Sequence, residues 1–192
     1  MNKNILAAAI LGMASMTSAL AGEIAISDFT SAQTVINMNG VVAPSSSFSF
    51  GGVGFSNTSS GSGGPGWRNL TAFGLGFTDN AGITHINLDL GNSYTKAGLD
   101  LYLNATYTVS FFDGADLVAS LTKVVAGGPV FAGWENAAGI SRIEINESSG
   151  DNSLVGGFNN VRLEASAVPE PTSIALFALG LTGFAFARRR KA

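Results

Sequence analysis

The sequence of 192 residues contains no cysteine and a single histidine, His85. The lack of cysteine excludes disulfide bonds, thiol nucleophiles and cysteine-ligated metals, so packing has to stabilise the fold. His85 is the one imidazole that could act as a base, and neither a Gly-x-Ser-x-Gly nor a His-Glu-x-x-His motif surrounds it. Strand alternation instead predicts that His85 lies on a solvent-exposed face.

Carboxylate pairs are a second route to hydrolysis, because two of them can cleave a glycosidic bond. Asp113 and Asp116 belong to a predicted hairpin turn, and Glu144 and Glu147 lead from a strand into a loop. Neither pair has a recognisable catalytic spacing. We therefore predict a protein without enzymatic activity, since a glycan-cleaving enzyme would need two carboxylates that converge in a cleft.

Basic residues are scarce once the two chain ends are set aside. Residues 22–167 contain five Lys and Arg against twelve Asp and Glu, which leaves a formal charge of −7, whereas the full chain carries −3. A surface this acidic repels a phosphate backbone. The composition therefore argues against a nucleic-acid partner.

Long apolar runs are confined to the two chain ends. Near the C-terminus, Val168, Pro169, Glu170 and Pro171 form a short motif whose prolines keep the backbone extended and accessible to a protease. Residues 172–187 are uncharged and mostly apolar, and as a helix they would span about 24 Å, nearly enough to cross a bilayer. The run therefore predicts a short transmembrane helix.

Four cations, Arg188, Arg189, Arg190 and Lys191, follow the apolar run and would stay on the cytoplasmic side of a membrane. Motif, helix and basic tail together resemble the PEP-CTERM sorting signal, which exosortase-type membrane enzymes recognise in Gram-negative bacteria. The resemblance implies transient anchoring in the inner membrane, exosortase processing and release to the cell surface or extracellular matrix. The alternative is a membrane anchor that is never processed.

The N-terminus has the features of a secretory signal peptide. Lys3 supplies a positive charge, residues 5–13 form an apolar stretch, and Ala19-Leu20-Ala21 is a site that signal peptidase accepts. A retained membrane helix is disfavoured because the apolar stretch is shorter than the roughly 20 residues of a span. We expect a signal peptide at 1–21, one domain at 22–167 and a sorting signal at 168–192.

The central region reads as an all-β domain. Apolar residues alternate with polar ones in short runs that are separated by Gly, Asn, Asp and Ser, and no long helical period occurs between the two ends. About nine strands at this spacing predict an antiparallel two-sheet sandwich. The clearest runs cover residues 86–90, 99–103, 107–111, 117–125, 130–134, 140–146 and 161–165.

Four stretches extend this prediction to a family of folds: residues 107–114 (YTVSFFDG), 131–134 (FAGW), 140–145 (ISRIEI) and 158–163 (FNNVRL). They resemble the jelly-roll sandwiches, reminiscent of galactose-binding-like and carbohydrate-binding modules, that often precede PEP-CTERM tails. The closing motif of such domains usually carries Asp-Asn where this chain has Asn159-Asn160. Similarity of fold alone does not define a ligand.

Metal binding has weak candidates among the acidic turn residues Asp79, Asp113, Asp116 and Asp151. Their oxygens suit calcium, and a structural calcium ion is therefore an open alternative to the expectation of no cofactor. None of the four belongs to an EF-hand or similar spacing. Turns select Asp for conformational reasons as well, and that interpretation explains all four positions.

Glycan binding would use exposed aromatic rings as platforms for sugar faces, with polar neighbours as hydrogen-bond partners. Trp67, beside a Gly-rich loop, is the first candidate, and Tyr94 and Tyr102 follow; Trp134 is assigned to the core. The sequence thus favours an exported surface or matrix protein, associated with exopolysaccharide or biofilm. The alternative is a dedicated carbohydrate-binding module, which would require Trp67 and Tyr102 to line one concave surface.

Overall fold

The computed structural model describes residues 21–43, 45–58, 66–69, 74–78, 84–147 and 156–165. These residues form eleven β-strands and one 3₁₀ helix, Ile26–Asp28. The strands are β1 Gly22–Glu23, β2 Thr34–Ile36, β3 Ser47–Phe50, β4 Val53–Asn57, β5 Gly66–Asn69, β6 Leu75–Thr78, β7 Thr84–Tyr102, β8 Ala105–Asp113, β9 Asp116–Val125, β10 Val130–Glu147 and β11 Gly156–Glu164. Every pairing among them is antiparallel, and the all-β prediction is confirmed.

The predicted signal peptide up to residue 20 and the sorting tail lie outside the described residues. Asp79 and Asp151, two of the candidate calcium ligands, lie outside them as well. Within the described ranges, no helix is both long and apolar enough to span a membrane.

The eleven strands form one continuous sheet whose two halves stack as layers. The first layer contains β3, β4, residues 84–90 of β7, residues 142–147 of β10, β8 and β9. The second layer contains β1, residues 130–135 of β10, residues 94–102 of β7, β11, β2, β6 and β5. Both long strands, β7 and β10, therefore belong to both layers.

These two strands differ from the sequence prediction, which divided each of them into two separate strands. The pairing of β7 with β10 is interrupted by register shifts on either side of Ile140, which pairs with Tyr94. Gly91 has a φ of 71° and Gly139 a φ of 119°, values that residues with a side chain rarely adopt. The strands bend at these bulges, as strands that pass from one packed sheet to the other do, and they continue beyond them.

The core lies between the two layers. Phe55 of the first layer stacks on Phe158 of the second, with ring centroids 6.0 Å apart. Tyr107 of β8 is fully buried; its hydroxyl donates a hydrogen bond to the Tyr102 carbonyl oxygen and accepts one from the Gly157 amide at 3.2 Å. Burial raises the pKa of the Tyr107 hydroxyl far above its ordinary value. These contacts join the layers and show the predicted sandwich packing.

The segment that follows β1, residues 24–30, covers part of the outer face of the second layer. Phe29 packs edge-to-face on Phe131, with ring centroids 6.1 Å apart. The Lys96 ammonium donates a hydrogen bond to the Asp28 carbonyl oxygen at 2.6 Å, and the Thr30 amide donates one to the Glu164 carboxylate at 2.6 Å. This face is therefore partly closed by the chain itself, whereas the outer face of the first layer has polar depressions.

Candidate functional site

Trp67 lies in β5 with its indole ring turned toward the core. The ring meets Phe48 edge-to-face at a centroid distance of 5.5 Å and Phe158 at 6.4 Å. Its N–H group donates a hydrogen bond to the Ser46 carbonyl oxygen at 3.3 Å. Trp67 therefore bridges the two layers as a packing residue, and its contact with a glycan stays a prediction.

Tyr102 lies on the opposite face of the second layer from Trp67. It pairs with Gly157, and its side chain alternates with that of the buried Leu101, so it points outward. Burial raises the pKa of the Tyr102 hydroxyl, and the nearby Asp100 carboxylate raises it further. Trp67 and Tyr102 thus do not line one concave surface.

Tyr94 and Trp134 are both partly buried and pack against the core. The packing of Trp134 agrees with its assignment from the strand pattern. For Tyr94, a glycan contact would have to use the part of the ring that the core leaves accessible. No two of the three aromatic candidates, Trp67, Tyr94 and Tyr102, together form a flat, exposed platform.

The outer face of the first layer carries a depression that the sequence analysis did not predict. Its volume is about 330 Å³. The strand register places Ser47 opposite Ser56, Ser56 opposite Asn87, and Gly54 opposite Asp89. The wall residues are Ser47, Phe48, Ser49, Gly54, Phe55, Ser56, Asn87 and Asp89.

A second depression, of about 170 Å³, adjoins the first and shares Asn87 with it. His85 lies there on an exposed strand position, as the alternation predicted. The side-chain oxygen of Asn146 is buried and has no hydrogen-bond partner among the described residues. The wall residues are Thr58, His85, Ile86, Asn87, Glu144 and Asn146.

Every lysine and arginine side chain that the structure describes is paired with a carboxylate. The pairs are Lys96 with Glu164 at 3.4 Å, Arg162 with Asp100 at 2.9 Å, Lys123 with Glu23, and Arg142 with Glu144. Arg142 also lies over the ring of Phe112, 3.9 Å from its centroid. The described surface therefore has no unpaired cationic side chain with which to bind an anionic polymer.

Asn159 and Asn160 have a structural role that sequence reasoning missed. The Asn159 side chain accepts a hydrogen bond from the Met38 amide at 2.8 Å and donates one to Asn39 at 2.8 Å. Asn160 donates to the Asp100 carboxylate at 2.8 Å. The resemblance to a closing Asp-Asn motif marked these positions, but their partners are more than fifty residues away in sequence and gave no local signal.

The acidic turn of β8 and β9 shows what Asp113 and Asp116 do locally. They face each other at the end of the hairpin, and the Gly114 amide donates a hydrogen bond to the Ser141 hydroxyl at 2.8 Å. No group of three or more His, Asp or Glu side chains suited to a metal ion occurs within the described parts of the chain. A calcium ion bound by Asp113 and Asp116 would find no third acidic ligand among the described residues.

Comparison with known proteins identifies the segment that follows β11. Residues 167–191 match the PEP-CTERM protein-sorting motif. The sorting-signal prediction is thereby confirmed: the chain carries a PEP-CTERM signal of the kind that exosortases recognise, which indicates export and C-terminal membrane anchoring. The PEP-CTERM match covers the tail and leaves the β-domain unassigned.

Two further comparisons concern the whole chain. No curated protein matches its sequence. A solved structure of CBM29-2, a family 29 carbohydrate-binding module in a mutant form, is similar, with a TM-score of 0.48 and 13% identity. The similarity covers 72% of this chain and 98% of the module.

Proposed function

We propose that this chain is an exported, non-catalytic protein of the cell surface or extracellular matrix of a Gram-negative bacterium, delivered by an exosortase-type system. The observation that carries the proposal is the PEP-CTERM match at residues 167–191, which begins shortly after β11 ends at Glu164. A folded β-domain is thus followed directly by a sorting signal. In this scheme residues 22–167 are the cargo.

The export route has three steps. Signal peptidase removes residues 1–21 during translocation, and the apolar run 172–187 then holds the chain in the inner membrane. Arg188, Arg189, Arg190 and Lys191 keep the tail on the cytoplasmic side. The exosortase reads the extended Pro169-Glu170-Pro171 segment on the other side and releases the domain outward.

Outside the cell, the released domain associates with an exopolysaccharide layer or biofilm. A dedicated carbohydrate-binding module is the second candidate function, although its binding surface cannot be the predicted one, because Trp67 and Tyr102 lie on opposite faces of the second layer. The two adjoining polar depressions on the first layer favour it, because hydroxyl, amide and carboxylate groups converge there on an open surface. The two candidates share export and differ in whether the domain itself recognises a glycan.

Replacement of Pro169-Glu170-Pro171 by three alanines tests the sorting step. The variant keeps the apolar run for membrane insertion but loses the rigid, extended backbone that a protease reads, so the full-length form should accumulate in the inner membrane. Fractionation with an epitope near Ser31 reports size and compartment. The control Ser166→Ala changes a residue just before the motif and should mature like the parent.

If the triple-alanine variant matures and reaches the exterior like the parent, the exosortase proposal is wrong. The alternative, a membrane anchor that is never processed, predicts a different result. Parent and variant would then both stay full-length and membrane-bound.

A further inference from the structure

We propose that the outer face of the first layer is a binding site for a neutral polysaccharide, with Asn87 at its centre. The inference rests on the proposed export of the chain, which would bring this face into contact with extracellular glycans. It deepens the second candidate function by naming the residues of the site and the chemical class of its ligand. The aromatic candidates from the sequence are not required for it.

The shape of the face suits a chain of sugars. The two depressions, of about 330 and 170 Å³, meet at Asn87 and together form an elongated surface across β3, β4, β7 and β10. Neighbouring strands lie about 4.8 Å apart, so the polar groups recur at short intervals across the face. An extended ligand can therefore contact both depressions at once.

Gly54 leaves the floor of the larger depression open. A Cβ at this position would lie 3.5 Å from the Asp89 Cβ and 3.8 Å from the Asp89 carbonyl oxygen, which are ordinary contacts. A larger side chain would therefore fit the backbone at residue 54 and project into the depression. The glycine keeps open the space in which we place a sugar ring.

The polar groups match a ligand rich in hydroxyls. Ser47, Ser49 and Ser56 each offer a hydroxyl that donates and accepts, and the Asn87 amide does both as well. One Asp89 carboxylate oxygen accepts the Gly91 amide at 3.0 Å, and the carboxylate keeps further lone pairs for donors such as sugar hydroxyls. Sugar hydroxyls supply donors and acceptors in the same mixture.

Charge selects against acidic polysaccharides. Arg142, the described cation of this face, is paired with Glu144 and lies over Phe112. Asp89, which has no cationic partner among the described residues, would repel uronate or sulfate groups, and residues 22–167 carry a formal charge of −7. The face therefore fits an uncharged glycan.

Affinity electrophoresis of the full chain tests the site. The protein is kept in a zwitterionic, sugar-free detergent, and native gels contain a neutral glucan, mannan or galactan, or alginate as the acidic polymer. We expect at least one neutral polymer to retard the parent and alginate to leave it unretarded. Gly54→Leu should abolish the retardation by filling the depression, and Asn87→Ala should weaken binding about tenfold by removing the shared amide.

Thr122→Leu is the matched control, because it adds the same side chain to an exposed position of β9 on the same face, outside both depressions. It should bind like the parent, and circular dichroism should show that all three variants keep the β-fold. Retardation by alginate alone, by no neutral polymer, or equally for parent and Gly54→Leu overturns the proposal. The fractionation experiment is independent of these outcomes, so export and glycan recognition can fail separately.

Discussion

At the scale of single residues, Glu164 links the last strand to the N-terminal segment. Its carboxylate accepts the Thr30 amide at 2.6 Å and pairs with Lys96 at 3.4 Å. Burial raises the pKa of Glu164, but the hydrogen bonds from Thr30 and the Lys96 ammonium outweigh it and hold the pKa below the ordinary value. The ionised form is therefore more favourable in the folded chain than in the unfolded one.

We predict that Glu164→Gln lowers the free energy of unfolding by about 1–3 kcal/mol at pH 7, because a charge-assisted hydrogen bond and an ion pair are lost. A lowered pKa contributes stability above the unfolded-state pKa, near 4.3, and that contribution disappears as the pH falls through the folded-state value. The difference in the free energy of unfolding between variant and parent should thus shrink below about pH 4. Urea unfolding at pH 7 and at pH 3 measures it.

Glu23→Gln is the control, since Glu23 pairs with Lys123 and its side chain is 51% exposed. Exposed ion pairs contribute about 0–1 kcal/mol. Two results would contradict the role assigned to Glu164. One is a loss of unfolding free energy in Glu164→Gln that is the same at pH 3 as at pH 7. The other is an equal loss in both variants at pH 7.

Individual residues also show where sequence reasoning reached its limit. The exposed position of His85 followed from alternation within one strand, which is a local property. The partner of Glu164 is Thr30, 134 residues earlier in the chain, and the partner of Asn159 is Met38, 121 residues earlier. No local pattern specifies such pairs, because the sheet topology brings them together.

At the scale of elements, the strand pattern was correct and the division into strands was not. The inward residues of β7 have even numbers up to Leu90 and odd numbers from Ala97 onward. The sequence pattern predicts two separate strands here, at residues 86–90 and 99–103. The cause of the change in numbering is a bulge within a single strand, which shifts the alternation and bends the strand toward the second layer.

The second layer also depends on two adjacent glycines where β7 and β10 pair. The ring of Phe131 lies across Gly98 and Gly133, and a Cβ on Gly98 would come within 2.5 Å of the Phe131 ring, 2.8 Å of the Ala132 carbonyl oxygen and 2.9 Å of the Gly133 Cα. Two of these three contacts are with backbone. Relief would therefore require the strands to separate.

We predict that Gly98→Ala lowers the free energy of unfolding by about 2–3 kcal/mol, as overpacking of a tight site does. Gly128→Ala is the matched control, because no atom lies within 4 Å of the added Cβ at that turn. Its effect should stay within about 0.5 kcal/mol. Thermal unfolding compares the two variants, and equal melting temperatures would refute the packing explanation.

At the scale of the whole molecule, the function of the tail could be predicted from the sequence, whereas the candidate binding site could not. The sorting signal is a contiguous order of motif, apolar run and basic residues, so it can be recognised without a fold. The polar depressions depend on the register of β3, β4 and β7, and β4 ends at Asn57 whereas β7 begins only at Thr84. Alternation predicts which face a residue occupies but not its neighbours on the next strand.

The position of β11 makes the fold depend on the end of the domain. This last strand lies inside the second layer, with β7 on one edge and both β2 and β6 on the other. It also supplies Phe158, Val161 and Leu163, which are buried, to the core. The fold is therefore complete only when residues 156–164, just before the sorting signal, are part of the sheet.

We predict that residues 22–167 fold alone as a soluble, monomeric β-protein, and that residues 22–155 do not fold. Removal of β11 would expose the apolar faces of Leu101 and Phe55 and leave the edges of β2, β6 and β7 unpaired, a loss too large for a marginally stable domain. Circular dichroism and cooperative urea unfolding should show a β-domain for the longer chain and none for the shorter. A cooperative transition in the shorter chain would mean that β11 is dispensable, and mainly helical dichroism of the longer one would refute the β-domain itself.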